Sequence, residues 1–289
     1  DSRYATSSYG GPVARAKAQM DSFYGQISLS PVAGATISAG ARRDDHDRFG
    51  GATSFAANAV YSPNGGSTTL RASYGEGFKA PSLFQLFSDY GNTSLRPETS
   101  RSWDAGVTQR ALDGAIELGV TLFHRNISNQ IAFISCATST GICTNRPYGT
   151  YDNVARAQAK GVEMGLRLRP VAALRVDANY SYVQAENRIT GRDLARRPRH
   201  SLNLGVDYEW ANGLKTGATI TQIGNSFDNA SNTRRLEGYT LVDVRAAYRV
   251  TPMIEVFGRI ENLFDEAYET GNLYGTPGRG AYTGVRLAF

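Results

Sequence analysis

Apolar and polar residues alternate one for one in about thirteen short runs along this chain, and the apolar side of each run carries no charge over its middle, with Arg43, Glu76, Arg101 and Lys160 on that side only near run ends. Leu70, Ala72 and Tyr74 share one side against Thr69, Arg71 and Ser73. Val162, Met164, Leu166 and Leu168 stand against Gly161, Glu163, Gly165 and Arg167, and Leu202, Leu204, Val206 and Tyr208 against Asn203, Gly205, Asp207 and Glu209. A period of two predicts β-strands with one face in an apolar medium and one in a wet one. The runs place strands at 22–30, 35–44, 53–61, 67–76, 99–110, 115–127, 160–169, 174–185, 200–209, 214–224, 239–250, 253–263 and 280–289.

The connections alternate between tight and long. Tight turns fall at SPVAG (30–34), SPNGG (62–66), ALDG (111–114), RPVAA (169–173), WANG (210–213) and VTPM (250–253). Longer links fall at 44–51, 77–98, 128–159, 186–199, 225–238 and 264–279. This rhythm predicts an all-β, antiparallel up-and-down transmembrane β-barrel with short turns at one end and long loops at the other. A Greek-key sandwich with a packed protein core is the competing reading of the same strands.

The aromatics favour the bilayer. Tyr61, Tyr208 and Tyr248 precede tight turns, whereas Tyr74, Trp103, Tyr180 and Tyr182 lie towards long loops, with Ala, Gly, Val, Leu and Ile between. That is two interfacial girdles around an apolar band. The opposite face carries Arg71, Asp104, Glu117, Glu163, Arg175, Asp177, Lys215, Arg245, Glu255, Arg259 and Arg286, which a hydrated or plugged lumen tolerates and a packed core does not. Charged residues make up 20% of the 289, and no run of ~18 apolar residues offers a membrane-spanning helix, as expected where only alternate residues meet lipid. The last strand is expected to end at the periplasmic side, which puts the tight turns there too. An odd strand count then puts Asp1 outside. Residues 1–21 are expected to be an outer loop or strand extension, and 22–289 the C-terminal part of a larger barrel, with an N-terminal portion missing from this sequence or held by a separate chain.

Net charge is +5, but the basic residues are scattered and no recognition motif accompanies them, so nucleic acid is not an expected partner. Basic loops facing a phosphate-rich surface, or merely solvated charge, fit better. Cys136 and Cys143 lie in one small loop, CATSTGIC, where a disulfide in an oxidising compartment is expected and a reduced pair is the alternative. The acidic stretch DDHD (44–47) lacks the spacing of a calcium loop and reads as a solvated tip; no metal ligands are assigned. His46, His124 and His200 sit in no nucleophile motif, which argues against an enzyme and leaves them loop or strand-end roles.

The segment YGEGFKAPSLFQLF (74–87), followed by YGNTSLRPETSRSWDAGV (90–107), resembles the TonB-dependent outer-membrane receptors, in which a strand running into an F-K/R-A-P loop and an L-x-P-E return recurs. IENLFDEAYETG (260–271) and GRGAYTGVRLAF (278–289) look like that family's last two strands. DNVARAQAKGVEM (152–164) and YSYVQAENRITGRDLARRPRHSLN (180–203) are most similar to the cobalamin (vitamin B12) branch. The resemblance implies about thirteen strands of a 22-stranded barrel that encloses an N-terminal plug. It implies TonB as a partner acting through that plug, energy-coupled uptake of a large scarce ligand, and calcium in early loops that this sequence lacks. Siderophore or other cargo, and a passive porin-like channel, are the alternative functions.

Residue by residue, the family's L-x-R-R loop matches LARRPR (194–199), which implies ligand contact by Arg196; a loop arginine touching lipopolysaccharide or solvent is the competing role. Tyr90 and Asn92 in SDYGNTS (88–94) are further candidate ligand contacts, since a tyrosine face and an amide suit a large polar ligand. Phe289, with Leu287, Val285 and Thr283 on its side, resembles the assembly signal read by the barrel-insertion machinery, or serves as a girdle aromatic.

Overall fold

Each of the thirteen alternating runs becomes a strand of one antiparallel sheet in the computed structural model. The structure describes residues 2–6, 14–136, 139–146 and 148–288, so Phe289 lies outside the described residues. A first ribbon pairs β1 (Ser2–Thr6) with β2 (Ala14–Ala18). The wall begins with β3 (Met20–Leu29), β4 (Ala35–His46), β5 (Gly50–Tyr61), β6 (Thr68–Lys79) and β7 (Glu98–Ala111). It continues through β8 (Ile116–Ile134), β9 (Thr150–Val171), β10 (Leu174–Asn187), β11 (His200–Glu209) and β12 (Leu214–Ile223). A two-residue pair, β13 (Ser226–Phe227) with β14 (Arg235–Leu236), forms within the next long loop. The wall then closes its run with β15 (Tyr239–Thr251), β16 (Ile254–Glu261) and β17 (Gly280–Leu287). Sequential wall strands are neighbours throughout, an up-and-down meander.

The register sorts the side chains as the alternation requires. Leu118 lies opposite Leu166, and Leu166 opposite Ala178; Ala178 faces Leu204, Val206 faces Ala218, and Ala218 faces Val244. This face has no protein over it: Phe23, Ile27, Leu118, Leu122, Met164 and Val285 are all exposed. The buried hydrophobic residues, Leu83, Leu86, Leu95, Ala157, Ala185 and Leu236, lie at or beyond the long-loop end instead of in a central core. An apolar belt on the outside of a sheet is the arrangement a bilayer stabilises and water does not.

The other face is a network of charge. Arg110 donates to Glu117 at 2.7 Å, Arg167 to Glu117 at 3.2 Å and to Asp177 at 3.1 Å, and Arg175 to Asp177 at 2.5 Å. Asp207 stands opposite Arg175 and accepts from Arg245 Nε at 3.0 Å. To reach Asp207 the Arg245 side chain crosses Gly217: a Cβ there would lie 2.7 Å from Arg245 Nε and 2.4 Å from Asp207 Oδ1. Arg71 crosses Gly106 in the same way to reach Thr108 at 3.0 Å and Thr121 at 2.5 Å. These in-strand glycines are the floor on which arginines lie flat.

Two expectations are corrected. The 44–47 stretch is only in part a solvated tip: Asp45 and Asp47 are exposed, Asp44 and His46 are not. β4 continues to His46, Asp44 is 5% exposed, and it accepts hydrogen bonds from Ser22 Oγ at 2.5 Å and Arg42 Nε at 2.8 Å. The 128–159 link is also much shorter than expected, because β8 and β9 run on as a paired ribbon to Ile134 and Thr150. Its register shifts between Ile127 and Ile131, where Asn129 takes a φ of 56°. Uncharged alternation is required only where one face meets hydrocarbon, so a ribbon beyond that level does not display it. The tip of the ribbon is closed by a Cys136–Cys143 disulfide with Cα atoms 5.5 Å apart.

Replacing Leu166 with Arg should destabilise membrane-inserted protein by about 2–4 kcal/mol, whereas Arg167→Ala, on the opposite face, should insert normally; denaturant titration in lipid vesicles checks both. Gly217→Ala should cost about 1–2 kcal/mol and be close to neutral in an Arg245→Ala background, a coupling that a double-mutant cycle reads directly.

Candidate functional site

All the long connections gather at one end of the sheet, and two groups of side chains meet there. The first is built on the loop after β6. Ser82 and Gln85 form a reciprocal cap that starts the short helix α1 (Leu83–Phe87): Gln85 N donates to Ser82 Oγ at 3.2 Å and Ser82 N to Gln85 Oε1 at 2.9 Å. Leu83 and Leu86 turn inward with Leu95, while Phe84 faces outward.

Rings then follow one another across the loops. Tyr4 meets Phe84 at 5.9 Å, Phe84 meets Tyr151 at 6.2 Å, Tyr151 meets Phe133 at 5.3 Å and Phe133 meets Tyr90 at 5.6 Å, all edge-to-face or nearly so. Tyr90, expected as a ligand contact, is the end member of this ladder with a part-exposed ring. Phe84 lies in the 74–87 segment that carries the family resemblance, whereas Phe133 and Tyr151 have no sequence signal. The pairing of Phe133 with Tyr151 depends on the register beyond the bulge, which the sequence pattern does not display.

Asn92 is placed differently from the expectation of ligand contact. It is 4% exposed, its amide donates to the Tyr151 carbonyl at 2.9 Å, and its Oδ1 accepts from Ser94 N at 3.0 Å. Both ends of the amide are used: the NH₂ ties the α1 loop to β9, and the oxygen braces the loop itself at Ser94. Asn153 does the same work, accepting from Arg96 N at 2.8 Å and donating to the Arg96 and Asn129 carbonyls at 2.9 and 2.7 Å.

The second group is basic and joins three loops. Arg196, at a φ of 55°, donates from Nε to Asp228 Oδ1 at 2.9 Å. The same oxygen accepts from Asn272 N at 3.2 Å, and Arg196 N donates to the Phe227 carbonyl at 2.6 Å. The guanidinium lies beside Gly271, where a Cβ would sit 3.5 Å from Nη2. A reciprocal pair of bonds, Asp193 N to Asn232 Oδ1 and Asn232 Nδ2 to the Asp193 carbonyl, both 2.9 Å, adds to the join. The Asn272 amide and the Arg196 guanidinium together hold the Asp228 carboxyl below its ordinary range. The pair therefore stays ionised as pH falls through the usual aspartate range near ~4 and is lost only below it. Arg199 is held above its ordinary value, first by its hydrogen bonds to Asp193. No contact links Arg196 with Tyr90 or Asn92; strands β7 to β10 separate their loops. Asp228 and Asn272 carried no sequence signal, because each works by a fold-dependent meeting of loops.

Among the described residues, no group of three or more His, Cys, Asp and Glu is placed to hold a metal ion. His200 makes a strand-end hydrogen bond, its Nδ1 lying 2.8 Å from the Tyr180 hydroxyl.

Comparison with known proteins matches this architecture. Residues 1–263 match the family described as TonB dependent receptor-like, beta-barrel. The chain is 31% identical over 253 residues to the vitamin B12 transporter BtuB of Photobacterium profundum, covering 86% of this chain and 40% of that protein. A double mutant of the ferric enterobactin receptor PfeA of Pseudomonas aeruginosa superposes with a TM-score of 0.80 at 24% identity, covering 98% of this chain and 47% of that one. The siderophore receptor PirA of Acinetobacter baumannii gives 0.78 at 20% identity, covering 96% and 46%, and the copper transporter OprC gives 0.77 at 18%, covering 96% and 49%. The chain thus spans less than half the length of these relatives, and the three solved structures speak for the fold alone. The family is one of outer-membrane transporters and receptors, not enzymes. By the family match over most of its length and by its meander of thirteen wall strands, this chain belongs to the TonB-dependent receptor β-barrel family.

Proposed function

We propose that this chain is the C-terminal part of the barrel wall of a TonB-dependent receptor in the bacterial outer membrane, and that the receptor takes up cobalamin. The observation that carries the cargo is the 31% identity to a vitamin B12 transporter, which exceeds the identity to the siderophore and copper receptors. The 22-stranded closure, the plug, coupling to TonB, calcium in earlier loops and recognition of Phe289 by the assembly machinery belong to the same proposal and concern parts beyond the described wall.

The loop arrangement supports capture at the long-loop end. Arg196 uses Nε to hold Asp228, and its terminal nitrogens remain as donors for an amide or phosphate oxygen of a corrinoid. Asp228 acts by positioning, since it fixes where the guanidinium lies. The aromatic ladder from Tyr4 to Tyr90 offers a second, flat apolar wall. A siderophore receptor is the second reading, favoured by the same ladder and by the structural neighbours.

Cyanocobalamin and ferric enterobactin should be titrated by calorimetry against the full-length protein in detergent. Cobalamin is expected to bind and enterobactin not to; the reverse result assigns the siderophore reading. Arg196→Ala should weaken cobalamin binding about 10- to 100-fold, the worth of one charge-assisted contact. Asp228→Asn, which frees the arginine without removing it, should cost only a few-fold, and neither change should reduce membrane insertion.

A further inference from the structure

Three arginines line one cavity between the 188–199 and 224–238 loops, against a single lining carboxylate. The cavity measures about 300 Å³, and Arg197, Arg199, Arg235, Asp193, Asn225 and Phe227 form most of its wall. Arg199 is committed to Asp193, with Nη2 at 3.0 and 3.1 Å from its two oxygens. Arg235 pairs with Glu237 at 3.2 Å, but the Glu237 side chain is 74% exposed, so water competes for that contact. Arg197 has no carboxylate within 4.0 Å among the described residues, and its Nη1 makes a long 3.4 Å hydrogen bond to the Arg196 carbonyl. Asn225 spends its Oδ1 on Gly238 N at 2.7 Å, which leaves its NH₂ as a donor. The wall is therefore rich in donors and in uncompensated positive charge.

That chemistry suits a phosphate. A carboxylate occupies one guanidinium fork, whereas a phosphate monoester brings up to two negative charges and three acceptor oxygens to several. The height of the cavity narrows the source. His200, which also lines it, opens β11; its ring is 5.1 Å from that of Tyr182 and it is hydrogen-bonded to Tyr180. Both tyrosines belong to the girdle at the long-loop end, so the cavity sits where aromatic side chains give way to lipid headgroups.

We propose that this cavity is a binding site for the phosphate of an outer-leaflet glycolipid headgroup. The site rests on the outer-membrane placement given above and is independent of the cargo.

The test uses the full-length protein, delipidated in detergent and then exposed to mixed micelles of phosphorylated or dephosphorylated lipid A, with retained lipid read by native mass spectrometry. The wild type should retain the phosphorylated form at least tenfold better than the dephosphorylated one. Arg197→Gln with Arg235→Gln should abolish that preference, and Arg197→Lys with Arg235→Lys should keep part of it. Heat-modifiable electrophoretic mobility reports the barrel separately, so loss of the fold is distinguished from loss of the site. Equal retention of the two lipids, or an unchanged preference in the glutamine variant, overturns the site. Protection of Arg197 and Arg235 from phenylglyoxal by inorganic phosphate, without lipid retention, overturns the lipid source.

Discussion

Hydrocarbon offers no partner to a peptide N–H or C=O, and that constraint governs the structure more than any single side-chain contact. A sheet meets it by passing every hydrogen bond from strand to strand, and the unbroken neighbour order from β3 to β17 is its expression. With the backbone satisfied, side chains need only choose a side. The bilayer face excludes charge because each lipid-exposed cation at mid-depth would cost ~2–4 kcal/mol. No protein core is then needed at the level of the membrane, and the buried hydrophobic residues are found at or beyond its long-loop end, where loops must pack on one another.

The inner face solves a different problem. Charges such as Arg167, Asp177 and Glu117 sit side by side across strands, so each neutralises its neighbours and accepts or donates along the wall. The surface stays hydrated and polar without a large net field. Arginine suits the role because its long planar head can lie across a glycine and reach two strands away.

The strands were legible because the bilayer imposes a strict period of two. Thirteen runs, their tight turns and the two girdles could be read from residues such as Leu166, Tyr208 and Trp103. Legibility ended where hydrocarbon ended. Asp44 was misread because a buried acid paired with a half-exposed Arg42 looks like a solvated acid in sequence. The extension of β8 and β9 was missed because a ribbon in water needs no alternation. Arg196 stood out by motif, but its partner Asp228 lies 32 residues on, and only the meeting of loops reveals it. Asn92 was marked by its amide, yet which backbone that amide would serve was a matter of tertiary contact.

The β8–β9 ribbon has a consequence for how the mouth of the barrel works. Asn92, Asn153 and the Thr150 hydroxyl bond it to the α1 loop, and its tip is covalently shut. Ribbon and helix are thus tied to one another by side-chain bonds at three positions. The loops after β10, β12 and β16 are joined chiefly by a few polar contacts around Asp228, with no comparable mast among the described residues. The rim is thus braced unevenly, by a cross-linked ribbon and helix on one side and by loops meeting at one carboxylate on the other.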